Sequence, residues 1–510
     1  MKKIFVIILL FALQVNSQEL KFDSSWKSLE QYQCPEWFQD AKFGIWTCWN
    51  PYAVTGAGDW YARNMYIEGS RQYKFHLEHY GHPSEVGYKD IVEMWKGKKF
   101  DPEYMVDLFK EAGAKYVVAM AMHHDNFDLW DSKYHEWNSV NHGPHQNIIG
   151  KWEAAVRKSG LRWGVTSHLE RSWNWFGVNK DADKEGPYAG IPYDGNNPKY
   201  SGLYFKKYKG YHDTNPMFSV NPPQEVIEDY FLREKDLLDQ HKPDLFYFDG
   251  GIPFGETGRK LMAYYYNQNI KDNNGKLEAV MNVKNTATKW PFLGDQIRNG
   301  IAVEDVEVHQ LSSINALPWQ TDTSIADWFW TTDIEYKTPK YVVHQLIDIV
   351  SKNGNLLLNV PPRADGTLDS EAITLLKKVG KWLDVNGEGI YGSRPYAFFG
   401  EGPGSKAKAE KHFGMKELSS DDYRFTTKGD TIYAFVCGTT KTDININAFS
   451  STLYHKIKSV QMLGVKGEIE FIQEKEKLVV KLPQKLPSEY AVCLKIIPEL
   501  NPVPESISKY

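Results

Sequence analysis

Short, almost continuous apolar runs recur through this chain, each separated from the next by a stretch with helical periodicity. They lie at 42–49, 115–122 (KYVVAMAM), 161–169 (LRWGVTSHL), 244–249 (DLFYFD), 278–283 (EAVMNV), 301–306 (IAVEDV) and 355–360 (NLLLNV), with a weak seventh at 318–322. Runs of this length without polar alternation suit parallel strands covered on both faces. The stretches between them carry helix signals. Asp101-Pro102-Glu103 offers an N-cap, a proline at the first helical position and an acidic first turn. Met105, Val106, Leu108, Phe109 and Ala112 follow at helical spacing, and Gly113 closes the helix. Residues 222–241 and the stretches opening at Thr338-Pro339 and Asp369-Ser370-Glu371 repeat the pattern. About eight strands alternating with helices predict an α/β fold, a (β/α)8 barrel with long loop insertions. A doubly wound open sheet is the runner-up, but no Gly-rich phosphate loop follows the first strand.

The pattern changes near the Gly/Pro-rich stretch from Gly400 to Ser405, which reads as a boundary region. Runs at 430–437, 456–463, 477–482 and 489–497 are short and alternating, with Gly and Pro-Ser turns, and predict a C-terminal all-β sandwich. At the other end, Lys2 and Lys3 precede an apolar run at 4–13, and Val15-Asn16-Ser17 offers small residues for cleavage. That is the form of an export signal, too short to span a bilayer. The expected organisation is a signal peptide at 1–17, a catalytic barrel at 18–395 and a sandwich at 396–510, in a periplasmic or secreted protein without stable membrane insertion. A net charge of -5 gives no electrostatic case for a nucleic-acid partner. Four cysteines are too few for a disulfide scaffold. Cys437 and Cys493 fall in strand-like runs and either pair or remain buried thiols. Residues 181–223, rich in Gly, Pro, Asn and Tyr, read as a long loop after the third strand, shaping access on the active face.

In barrel enzymes the working groups sit at the C-terminal ends of the strands. DLFYFD ends in Asp249, held on a rigid element and followed by Gly250 and Gly251, which let substrate approach. It suits a carboxylate nucleophile, or a turn cap. IAVEDV carries Glu304 and Asp305 and runs on to Glu307. Glycoside hydrolysis needs two carboxyls, one nucleophile and one acid/base, and Asp249 with one of these glutamates supplies the pair. KYVVAMAM ends in His123-His124-Asp125, suited to sugar hydroxyls; no third and fourth metal ligand stands at convincing spacing, so no metal is expected. Asp59-Trp60 after the first strand offers a hydroxyl acceptor and a stacking face.

These residues sit in motifs that resemble glycoside hydrolase family 29, the retaining α-L-fucosidases. The resemblance runs from about Trp37 to the C-terminus, through WFQDAKFGIW (37–46), GDWYARNMY (58–66), HHDNFDLWDSKY (123–134), PDLFYFDGG (243–251), WQTDTSIADWFW (319–330), IVSKNGNLLLNVPPRADGTL (349–368) and IYGSRPYAFFGEGP (390–403). It implies a barrel followed by a β-sandwich, Asp249 as nucleophile, Glu307 as acid/base with Glu304 as the fallback, and sugar contacts from Asp59, Trp60, His123 and His124. Phe329 or Trp328 is implied to line the sugar's methyl pocket. Two departures matter. The family's first-strand pattern resembles FGI-x-x-H-W-G, whereas this chain reads FGIWTCWN, with Cys48 at the His position and Asn50 at the Gly position. A thiol is a much weaker hydrogen-bond partner than imidazole. At the third-strand end, where many relatives show Tyr, this chain has His168 and Glu170; where some have Arg after the acid/base, it has Val308.

The resemblance implies two-step displacement without a cofactor, with carboxyls roughly 5–5.5 Å apart. The expected partner is a fucose-containing oligosaccharide or polysaccharide. The alternatives are an α-L-galactosidase or modified-fucose hydrolase on the same site, and a non-catalytic sugar-binding relative.

Overall fold

A computed structural model of the chain describes residues 21–206, 208, 222–284, 297, 300–405, 418–438 and 442–499. The expected export segment, 1–17, lies outside the described residues. Among the described residues no helix is long and apolar enough to cross a membrane.

Eight parallel strands close into a barrel in sequence order: β1 (Phe43–Thr47), β2 (Tyr116–Met122), β3 (Arg162–Ser167), β4 (Leu245–Phe248), β5 (Val280–Lys284), β6 (Val303–Asp305), β7 (Trp319–Ser324) and β8 (Gly354–Asn359). β1 and β8 complete the ring, with Ile45 opposite Leu358. The helices between them start where the capping signals stand. Asp101 Oδ1 accepts from Tyr104 N at 3.1 Å, ahead of the helix Pro102–Glu111. Thr338 Oγ1 accepts from Tyr341 N at 3.1 Å, ahead of Pro339–Ser351.

The weak seventh run is a full strand, although its sequence is WQTDTS. Its polar residues are all buried, Gln320 and Asp322 on one side and Thr321 and Thr323 on the other. Period-2 alternation places Gln320 and Asp322 in the barrel interior, where Gln320 meets Tyr116 and Asp305. A polar interior of this kind carries no hydropathy signal.

The loop after β3 is more ordered than its composition implies. From 181 to 204 it contains three short turns of helix and is fastened to the loops after β1. Asp183 accepts from Tyr73 and Tyr193 and lies 3.1 Å from His82 Nε2. Asp194 accepts from Tyr66 and Tyr204, each at 2.7 Å. Residues 207 and 209–221 of the expected loop lie outside the described residues.

The C-terminal part holds a five-stranded antiparallel sheet, ordered β13 (Ile457–Met462), β16 (Val492–Pro498), β11 (Thr431–Val436), β10 (Tyr423–Lys428), β9 (Arg394–Glu401). Facing it is a three-stranded sheet, β12 (Asp443–Ile446), β15 (Leu478–Lys481), β14 (Phe471–Gln473). Phe425, Val436, Ile444, Phe449, Val480 and Leu494 fill the core between them. The Gly400–Ser405 stretch ends β9 and turns away from it, inside this unit. The outer face of the larger sheet packs on the barrel: Phe435 and Cys493 belong to the barrel's core cluster, and buried Arg424 donates through Nε to Asp348 Oδ1 at 2.6 Å. Cys437 and Cys493 are both buried free thiols.

Candidate active site

The C-terminal ends of the strands surround one pocket, lined by Trp46, Cys48, Asp59, Trp60, His123, His124, His168, Arg171, Asp249, Lys284, Glu307, Asp322, Trp328 and Phe329. Asp249 directly follows β4. Its N–H donates to Ser167 O at 3.1 Å and its carbonyl accepts from Arg171 Nη2 at 2.9 Å, so its peptide is clamped to the end of β3. One carboxylate oxygen accepts from Lys284 Nζ; the other lies 2.8 Å from His168 Nδ1 and 3.7 Å from His124 Nε2. Burial alone would raise its pKa. His168, Lys284 and Arg171 outweigh that and hold the carboxyl well below the usual range. This is an ionised carboxylate on a rigid strand end, the state a nucleophile needs.

Glu307 enters the pocket from beyond β6. Val308, a β-branched residue, has φ 61, a backbone conformation such residues seldom adopt. Its N–H is fixed to Asp322 O at 2.8 Å. This kink turns the chain just past Glu307, whose carboxylate reaches Lys284 Nζ at 3.1 Å and is about half exposed, at 47%. Glu304 does not line the pocket: it alternates with buried Asp305, which points into the barrel and accepts from Gln320 Nε2 at 2.7 Å.

Lys284 therefore ties the two candidate catalytic carboxyls together. It ends β5, its N–H donating to Gly250 O at 2.8 Å. Burial opposes its charge, but Asp249, Glu307 and Asp322 hold the ammonium charged.

The histidines form the adjacent wall. His123 Nδ1 is 3.2 Å from Tyr52 OH, and His124 Nδ1 is 2.6 Å from His168 O. Their Nε2 atoms lie 3.9 Å from Asp59 and 3.7 Å from Asp249 respectively. Burial pushes both imidazoles well below their ordinary pKa, so they are neutral hydrogen-bond partners. With His168 they offer ligand atoms within 4.8 Å of one another, the third histidine that sequence spacing concealed. His168 is already engaged by Asp249 and, at 3.2 Å, by Thr166 Oγ1; the trio is suited to neighbouring sugar hydroxyls.

Asp59 accepts from Trp60 N at 2.7 Å, with Trp60 at φ 60. Burial, reinforced by Asp249 and Glu307, pushes the Asp59 carboxyl up to about 7. Trp60 stands edge-on to Trp175 and His124. Across the pocket, Phe329 meets Tyr52 and His123 edge-on, Trp328 meets Trp46, and Trp46 stacks on His168. Cys48 lies in this aromatic wall, 3% exposed; burial pushes its thiol up. Asn359, closing β8, accepts from Cys48 N at 2.9 Å and donates to Trp328 O at 2.8 Å, joining the two segments. Asn50 turns away from the sugar space and donates to Asp125 at 3.0 Å.

The pocket therefore contains Asp249, Glu307, Asp59, Trp60, His123, His124, Cys48, His168, Trp328 and Phe329 together. Sequence reasoning missed Lys284, Arg171, Asp322 and Trp46. Lys284 stands one position past the run EAVMNV, a charge ending an apolar strand, which was its only signal.

A parallel eight-stranded barrel whose strand ends present two carboxyls beside neutral histidines and aromatic faces is the arrangement of a glycoside hydrolase. The sequence model described as alpha-L-fucosidase matches residues 9–388, and that of the alpha-L-fucosidase C-terminal domain matches 416–497. The chain belongs to the alpha-L-fucosidase family, glycoside hydrolase family 29. It is 28% identical over 505 residues to the tissue alpha-L-fucosidase of Rattus norvegicus, covering 96% of this chain and 95% of that protein. Identity to the tissue alpha-L-fucosidase of Homo sapiens is 28% over 496 residues, covering 93% of this chain and 92% of that protein. The crystal structure of Thermotoga maritima alpha-fucosidase in complex with a mechanism-based inhibitor superposes with a TM-score of 0.72 at 26% identity, covering 94% of this chain and 100% of that one.

Proposed function

We propose that this chain is an exo-acting retaining α-L-fucosidase that releases terminal L-fucose from an oligosaccharide or polysaccharide. The observation that carries this is the placement of Asp249 and Glu307 on one ammonium group, Lys284, at the floor of a pocket walled by His123, His124 and aromatic rings. Asp249 attacks the anomeric carbon and forms a covalent glycosyl-enzyme. Glu307 protonates the departing oxygen, then takes a proton from the water that releases the sugar, so configuration is retained. Neutral His123 and His124 hold hydroxyls without changing charge, and Asp59, poised near neutrality, accepts another. The Phe329 and Trp328 side supplies an apolar surface suited to the C6 methyl. The N-terminal pattern of charge, apolar run and small residues supports export to the periplasm or outside the cell.

The test is hydrolysis of aryl α-L-fucoside by wild type and Asp249→Gly, with and without azide. Turnover should vanish in the variant and return with azide as an inverted glycosyl azide. Near-normal turnover in the variant without azide would sink the assignment. Cys48 favours one second reading, because a buried thiol replaces a hydrogen-bonding ring in the pocket wall: an α-L-galactoside or modified fucose as the sugar. Faster hydrolysis of aryl α-L-galactoside than of the fucoside would support it.

A further inference from the structure

At the base of the sugar pocket, where Asp322 forms part of the lining, two more carboxyls face each other inside the barrel. Asp305 on β6 and Asp322 on β7 are 2% and 0% exposed and within hydrogen-bonding contact of one another. Their partners differ. Asp305 accepts from Tyr247 OH at 3.1 Å and from Gln320 Nε2 at 2.7 Å. Neither oxygen of Asp322 receives an N–H or O–H from any described residue; its nearest cation is Lys284 Nζ, 3.9 Å away. Two buried carboxyls in contact cannot both ionise, because repulsion and desolvation add. Asp305, with two neutral donors, is the better site for the charge, leaving the proton on Asp322 to donate back to Asp305.

We propose that Asp305 and Asp322 share one proton and so carry a single negative charge beneath Lys284, positioning its ammonium against Asp249 and Glu307. Lys284 is adjacent to Asp305 in strand register and stands between this pair and the catalytic carboxyls. A fully ionised pair would place two negative charges under the ammonium and draw it down into the barrel. A neutral pair would leave its whole charge to Asp249 and Glu307. One shared charge holds it between. Burial and the Asp305 charge keep the Asp322 carboxyl well above the ordinary range, in keeping with this arrangement. The titratable and charged groups facing the pair are Tyr247 and Asp249 from the β4 end, Lys284 from β5, Glu307 beyond β6, Tyr116 on β2 and Cys48 after β1. Asp322 and Asp305 are positioning residues that act through Lys284. The proton on the pair is independent of the catalytic roles, whereas its effect on turnover rests on the reading of Asp249 and Glu307 given above.

The charge can be counted. Asp322→Asn removes the proton-bearing group but keeps one negative charge on Asp305. The double variant Asp305→Asn/Asp322→Asn removes that charge. Infrared difference spectra, wild type minus Asp322→Asn, of protein with isotope-labelled aspartate should show one protonated-carboxyl stretch lost at neutral pH, above the signal that Asp59 contributes to both. The acid limb of the kcat/KM profile on aryl α-L-fucoside should stay in place in the single variant, whatever happens to kcat. In the double variant it should move about half a pH unit or more to lower pH, as one negative charge is removed from the surroundings of Asp249. An unchanged infrared band in Asp322→Asn would overturn the shared proton. An acid limb already displaced in the single variant would show two charges on the pair, and an unmoved limb in the double variant would overturn the positioning role. If Asp249→Gly retained activity, the catalytic reading alone would fall, and the infrared result would still decide the proton.

Discussion

Lys284 donates to Asp249 and stands 3.1 Å from Glu307, so one side chain contacts both catalytic candidates. Its removal has a signed consequence. The Asp249 carboxyl is held down by His168, Lys284 and Arg171 against burial; without the ammonium its pKa rises. Lys284→Met should therefore move the acid limb of kcat/KM to higher pH and lower kcat. A limb that stays in place would show that Lys284 does not govern Asp249. Glu307→Gln should lower turnover by about 10²–10⁴ for a poor leaving group, and less for an aryl glycoside, whose leaving oxygen needs little protonation. Comparing the two leaving groups in the variant checks this. At this scale the sequence exposed Asp249 because an acid ends an apolar strand before two glycines. Lys284 and Arg171 escaped because charges at a strand end or in a loop look the same whether they turn inward or into water, and Asp322 because it stands inside the polar strand β7. The choice between Glu307 and Glu304 depended on the kink at Val308, which no periodicity reveals.

Among elements, the helix Gln224–His241 shows why a charged stretch need not be a solvated one. Arg233 is fully buried and donates to both oxygens of Asp128 and to Asn126. Glu234 is fully buried beside it and accepts from Ser167 Oγ, whose main-chain carbonyl holds the N–H of Asp249. Burial pushes the Glu234 carboxyl up to about 8, from an unfolded value near ~4.3. Because the folded value is the higher one, its contribution to stability is fully present below the unfolded pKa and is lost as pH rises through about 8. Glu234→Gln should flatten the fall of Tm between about pH 4 and about pH 8. An identical fall in the variant would contradict this. The barrel strands were legible because seven of the runs are apolar; β7 was faint because its interior residues are polar. In the sandwich, β9, β10, β12 and β14 went unread: β12 and β14 are only four and three residues long, and β9 presents aromatic residues to both faces.

Across the whole molecule, barrel and sandwich share one buried seam. Arg424 on β10 and Asp348 on the barrel helix Pro339–Ser351 are 1% and 2% exposed, and Asp348 also holds Lys352 at 2.6 Å. Removing Arg424 breaks the pair but leaves Asp348 on Lys352, so the cost is below the roughly 3–5 kcal/mol of a fully unpaired buried charge. Arg424→Leu should lower Tm clearly in calorimetry and separate the unfolding of the two units; an unchanged single transition would show that the seam contributes little. The two-part architecture itself was readable from the change between helical and alternating patterns. The seam was not, since it joins residues distant in sequence through salt bridges such as Arg424–Asp348, Lys495–Glu388 and Arg394–Asp40 and through a shared apolar layer.

The proposed chemistry turns on Asp249 forming the covalent intermediate. The direct measurement is mass spectrometry of the enzyme after incubation with 2-deoxy-2-fluoro-fucosyl fluoride, using Glu307→Gln to slow release. A single fluorofucosyl adduct is expected on the peptide carrying Asp249, absent in Asp249→Gly. An adduct on another carboxyl, or one that survives in Asp249→Gly, would contradict it.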